Sequence, residues 1–138
     1  MMKRHVLLIG IALGVMPVAH ADTGDCASPC SISTSTTAYT APVNVIKSGS
    51  TVKWVPGDGG SHPTSDIPAD QDPCFYASVG AGHPGVSITF KITNGVLSAK
   101  NGTITKNCSS TALPNGDRVL PFQCNVHGWM RGELLVHP

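Results

Sequence analysis

Phe122-Gln123-Cys124-Asn125-Val126-His127-Gly128-Trp129-Met130-Arg131-Gly132 lies between two β-rich runs, residues 119–124 and 133–137. Cys124, His127 and Met130 fall three residues apart. On a tight loop joining adjacent strands, that spacing can turn a thiolate, an imidazole and a thioether toward one point. These donors are soft to intermediate and together suit copper. A second imidazole would complete two histidines, one cysteine and a weak axial methionine, and His62 can supply it from a distant loop.

Each residue alone has a plainer reading. A methionine near a strand end is usually core filler, and a histidine in a Gly/Ser-rich loop is usually solvated. The combination weighs against those readings. Met130 is the one methionine after residue 16, and the cysteine count is odd. Cys26, Cys30, Cys74 and Cys108 can form two disulfides, which leaves Cys124 over. Three pairings of the four are open; a Cys74–Cys108 bridge would tie two long loops and leave Cys26–Cys30 as a small N-terminal bridge.

The rest of the chain reads as all-β. Residues 31–37, 43–46, 51–55, 86–92, 102–105, 119–124 and 133–137 are short β-rich runs separated by turn residues, without helical periodicity. Such spacing predicts an antiparallel sandwich or barrel. Val86-Ser87-Ile88-Thr89-Phe90-Lys91-Ile92 alternates apolar and polar, as a half-buried strand does. Residues 56–84 are rich in Gly, Pro and Asp, with a faint helical signal near 70–77. Residues 93–118, polar and turn-rich, read as an excursion between two core strands with a hairpin inside it. Asn101-Gly102 and Asn115-Gly116 mark turns.

The N-terminus predicts export. Lys3 and Arg4 precede the apolar run of residues 6–16, and Ala19-His20-Ala21 offers a small-x-small cleavage site before Asp22. That is the pattern of a signal peptide over residues 1–21, with one domain over 22–138. An exported chain meets an oxidising compartment, which suits the disulfides. The leader holds two of the nine basic residues, which leaves seven against eight acidic ones. This near-neutral balance offers no basic field for nucleic acid, and nothing after residue 22 is long and apolar enough to span a membrane.

Two stretches resemble the cupredoxin, or type 1 blue copper, family. The first runs from Tyr39-Thr40-Ala41-Pro42 through Val45-Ile46-Lys47-Ser48-Gly49-Ser50-Thr51-Val52-Lys53-Trp54-Val55 to His62. The second is the 122–132 loop, similar to the family's aromatic-x-Cys-x-x-His-x-x-Met-x-Gly pattern and to short-loop members of the amicyanin, pseudoazurin and plastocyanin type. The resemblance implies a Greek-key β-sandwich; residues 93–118 depart from it as an inserted loop or hairpin, longer than the tight turn that usually precedes the Cys-bearing strand in short-loop members. The resemblance also implies one type 1 copper held by His62, Cys124, His127 and Met130. His127 would then expose its ring edge in an apolar patch beside Trp129, where a redox donor and acceptor dock. Trp54 and Phe122 are expected in the core, His83 on the surface, and His137 without a specific role. Pro63 departs from the family. Many relatives carry there a residue whose backbone N–H bonds the cysteine sulfur, and proline has none.

The function expected is a soluble, monomeric, periplasmic one-electron carrier, not an enzyme. Four protein ligands leave no position for substrate, and a multicopper oxidase or nitrite reductase needs more histidine clusters than His83 and His137 offer. The alternative is a periplasmic copper-binding or chaperone protein, against which a single methionine weighs. A metal-free structural sandwich would carry Cys124 oxidised to another cysteine.

Overall fold

The computed structural model describes residues 25–67, 69–80, 82–83 and 85–138. The signal-peptide reading of residues 1–21 lies outside them. Eleven strands are present among the described residues: β1 Cys30–Thr34, β2 Val43–Lys47, β3 Thr51–Pro56, β4 Thr64–Ser65, β5 Tyr76–Ala77, β6 Val86–Thr93, β7 Val96–Asn101, β8 Ile104–Asn107, β9 Thr111–Ala112, β10 Arg118–Cys124 and β11 Arg131–His137. One sheet runs β1-β3-β6-β7-β8. The other runs β2-β11-β10-β4-β5, with β9 on β10. The faint helical signal near 70–77 resolves into a single 3₁₀ turn, Ala69–Gln71, followed by β5.

Period-2 patterning decides which side chains go inward. In β6, Ile88 and Phe90 are buried while Ser87 and Lys91 are exposed. In β11, Leu134 and Val136 are buried while Arg131 and Glu133 face out. The two sheets meet through aromatic rings. Trp54 of β3 stacks on Phe75 at 4.8 Å and meets Phe122 of β10 edge-on at 5.7 Å. Phe90 of β6 meets both Trp54 and Phe75 edge-on. Trp54 and Phe122 are therefore core, as expected from sequence.

The sheets are mixed rather than purely antiparallel. β1 pairs β3 in parallel and β2 pairs β11 in parallel. For β1 and β3 the reason is the connectivity: after β1 the chain crosses to the second sheet for β2, then returns for β3. A strand reached by such a crossing comes back in the same direction as the one it left.

The 93–118 excursion contains the expected hairpin, β7 with β8, but β7 is more than an insertion. It pairs along β6 from Thr89↔Lys100 to Thr93↔Val96 and buries Leu97 and Ala99. The β6–β7 turn is Asn94-Gly95, both with positive φ (50° and 74°). Such a two-residue turn matches the strand twist, and Asn-Gly tolerates the left-handed backbone best.

Two disulfides pin the periphery: Cys26–Cys30, and Cys74–Cys108 between the two long loops. Cys124 is free and buried. His137 is not idle. Its Nδ1 lies 2.8 Å from Asp117 Oδ1 and its Nε2 3.4 Å from Asp25 Oδ1, so it joins the N-terminal segment, the 115–117 turn and the last strand. Sequence distance hid this, because the three residues meet only after β11 lies beside β2 and β10.

Candidate metal centre

The centre forms where two loops meet at one end of the sandwich. β10 carries Phe122 and Cys124 inward on the same face, two residues apart. The chain then turns back within the 124–130 loop. Cys124 N–H donates to Met130 O at 2.9 Å, and Met130 N–H donates to His127 O at 2.8 Å. These bonds bring His127 and Met130 back over Cys124. Met130 is 1% exposed and Cys124 fully buried.

The opposing loop is fixed to this one by polar contacts. Cys124 pairs with Thr64 and Gln123 with Ser65 in the β10–β4 ladder. Asn125 N–H donates to Pro63 O at 2.8 Å, and Ser65 Oγ donates to Asn125 Oδ1 at 3.1 Å. His62 N–H donates to Val79 O at 2.7 Å. Tyr39 donates its hydroxyl to Thr64 Oγ1 at 2.8 Å, and Thr64 donates onward to His62 O at 3.0 Å. Burial pushes the Tyr39 phenol above its ordinary pKa, which favours the protonated, donating form.

His62, Cys124 and His127 present donor atoms that all lie within 4.8 Å of one another. Cys124 Sγ is 3.9 Å from His62 Nδ1 and 3.6 Å from His127 Nδ1. For bonds of about 2.0–2.1 Å to nitrogen and about 2.3 Å to sulfur, two donors on one ion at roughly 110–120° stand about 3.6–3.8 Å apart. Both sulfur–nitrogen separations are thus close to what a single shared ion requires, and the three residues could hold one. One thiolate and two imidazoles match copper in donor chemistry.

His62 is 1% exposed, which no reading of its Gly/Ser-rich loop indicates. His127 is half-buried, its ring 5.1 Å from that of Trp129, which is 68% exposed. Val126 beside it is 60% exposed. His83 is exposed, as expected.

Asp58 escapes the sequence reading. Its carboxylate oxygens lie 3.0 and 3.2 Å from His62 Nε2. A carboxylate only accepts, so Nε2 carries a hydrogen, and in the neutral ring that a metal requires the free lone pair is then on Nδ1, the nitrogen facing the sulfur. The signal available was an acidic residue four positions before the histidine, in the Gly-rich run Asp58-Gly59-Gly60-Ser61-His62.

No protein-family model matches this chain, and no curated protein does. Solved structures do. The copper-containing nitrite reductase of Thermus scotoductus SA-01 superposes on 80% of this chain with a TM-score of 0.50 at 17% identity. The chain spans 22% of that enzyme. A purple cupredoxin from Nitrosopumilus maritimus is similar over 77% of this chain and 97% of its own, at 17% identity and a TM-score of 0.49. Amicyanin from Paracoccus versutus is similar over 78% and 79%, at 20% identity and a TM-score of 0.41. The fold is a cupredoxin-like β-sandwich.

Proposed function

We propose that the chain is an exported one-electron carrier, a single domain over residues 22–138 that holds one type 1 copper through His62, Cys124, His127 and Met130. One observation carries this reading: imidazole nitrogens from two separate loops stand 3.9 and 3.6 Å from the same free, buried cysteine sulfur. An unpaired cysteine in a chain with two formed disulfides needs a role, and metal ligation supplies one.

The copper, when bound, supplies a one-electron couple. The protein's part is to hold the donors still. Cys124 and Met130 are anchored on a strand end and its return loop, and His62 is anchored through Val79, Thr64 and Asp58. Oxidised and reduced copper prefer different geometries. A frame that fixes a compromise between them reduces the rearrangement that each electron demands.

The half-buried His127 sits beside the exposed Val126 and Trp129, which suits docking by a redox donor and acceptor near that ring. Trp offers an amphipathic ring of the kind enriched at interfaces. Four protein donors leave no open position for substrate, which supports carriage rather than catalysis.

Adding copper(II) to the purified protein is expected to give an intense visible thiolate-to-copper band. Cys124→Ser is expected to keep the fold by circular dichroism and lose the band. A folded parent that stays colourless under saturating copper(II) overturns the reading.

A further inference from the structure

The pairing of Asp58 with His62 is built, not incidental. Gly60 N–H donates to Asp58 Oδ1 at 3.2 Å, which turns the carboxylate back toward the ring. A Cβ on Gly60 would stand 2.9 Å from His62 Nε2 and 3.4 and 3.5 Å from the two carboxylate oxygens. Only a bare α-carbon leaves the pair its room. The His62 side chain is 1% exposed and that of Asp58 19%. A charge so placed is weakly screened and acts more strongly than one on the open surface.

We propose that Asp58 is a positioning residue of the metal centre that sets its electron affinity. It holds His62 in the tautomer whose Nδ1 can ligate, and its negative charge favours oxidised over reduced copper. The inference rests on the copper reading above. Copper(II) carries one more positive charge than copper(I), so an anion hydrogen-bonded to a ligand favours copper(II). A carboxylate accepting the far N–H also makes the imidazole a stronger donor. Both effects lower the reduction potential.

The test uses the copper-loaded protein and its Asp58→Asn and Asp58→Ala variants. Asn keeps an oxygen that can accept from Nε2–H but removes the charge. Asp58→Asn is expected to cost about tenfold in copper(II) affinity relative to copper(I), read by voltammetry as a potential about 59 mV higher. Asp58→Ala is expected to lose about 10–100-fold in copper(II) affinity. In the parent loaded with copper(I), nitrogen-15 NMR should find a hydrogen on His62 Nε2 in slow exchange with water. In Asp58→Ala that exchange should become fast. A merely structural aspartate would move thermal stability and leave the potential where it was.

A blue, folded Asp58→Asn protein whose potential is unchanged or lower overturns the proposal. So does a parent in which Nε2 of His62 carries no hydrogen, whether or not the variants fold. A colourless parent would instead remove the copper reading itself, so the two failures are distinguishable.

Discussion

Gly132→Ala should be among the most damaging single-methyl additions available to this chain. Gly132 lies directly across from Phe122 in the β10–β11 ladder. A Cβ there would stand 2.4, 2.8 and 3.1 Å from Phe122 Cζ, Cε2 and Cε1. Carbon atoms sit comfortably at about 3.5–4.0 Å, so the ring must retreat by roughly 1 Å. It has little room, because Tyr39 meets it edge-on at 4.9 Å and Trp54 at 5.7 Å. Overpacking of this kind costs about 1–3 kcal/mol, and the rigid ring and backbone place this case at the upper end. At about 4 °C per kcal/mol for a domain of this size, Tm should fall by roughly 8–12 °C. Calorimetry of the metal-free protein reads this directly. Phe122→Leu in the same chain should return part of the loss, with a coupling of about 1 kcal/mol or more in the double-mutant cycle. A Gly132→Ala protein within about 0.5 kcal/mol of the parent, or strictly additive cycles, would refute the steric argument.

Replacing Cys74 and Cys108 by Ala together opens a loop of sequence separation 34. The chain-entropy model then predicts a loss of about 4 kcal/mol, measurable by urea titration; a loss under about 1 kcal/mol would count against it. Burial raises the Asp66 carboxyl above its ordinary 3.8, only partly offset by the Phe75 N–H. The folded chain thus holds that proton more tightly than the unfolded chain, and the associated stability is present in acid and lost as pH rises through the folded value. Asp66→Asn should therefore raise Tm at neutral pH and leave it nearly unchanged at pH 3; a lower Tm at neutral pH speaks against burial as the cause. Pro63→Asn supplies, next to His62, a backbone N–H that proline lacks and that the cupredoxin resemblance directs to the Cys124 sulfur. Such a bond draws charge from the thiolate and favours reduced copper, so voltammetry should find a higher potential; a potential that falls or stays put would contradict this.

Much of the centre was legible because its chemistry is concentrated in one short loop. The spacing of Cys124, His127 and Met130, the odd cysteine, and the alternation in β6 each state a physical requirement that local sequence can carry. β7 was less visible. Its turn, Asn94-Gly95, is a plain hairpin signal, but the polar residues around it made the stretch read as an excursion, although Leu97 and Ala99 are core. The parallel pairings of β1 with β3 and β2 with β11 were beyond reach, since direction depends on which sheet a strand joins rather than on its composition. Asp58 and His137 were missed for a related reason. Their roles depend on which charged group faces which ring once distant segments have packed.

The parallel pairing of β2 with β11 also orders events in time. It joins residues 43–47 to residues 133–137, so it must close a long stretch of chain, whereas β10 and β11 are linked by the short 124–130 loop alone. Contacts between remote segments form slowly because loop closure is entropically costly. His62 in turn reaches Cys124 through the β4–β10 pairing, across a sequence separation of 62, so a refolding chain should assemble the Cys124–Met130 half of the centre before His62 arrives to complete it. During that interval an incomplete, solvent-open thiol site would exist, vulnerable to oxidation or to capture of the wrong ion.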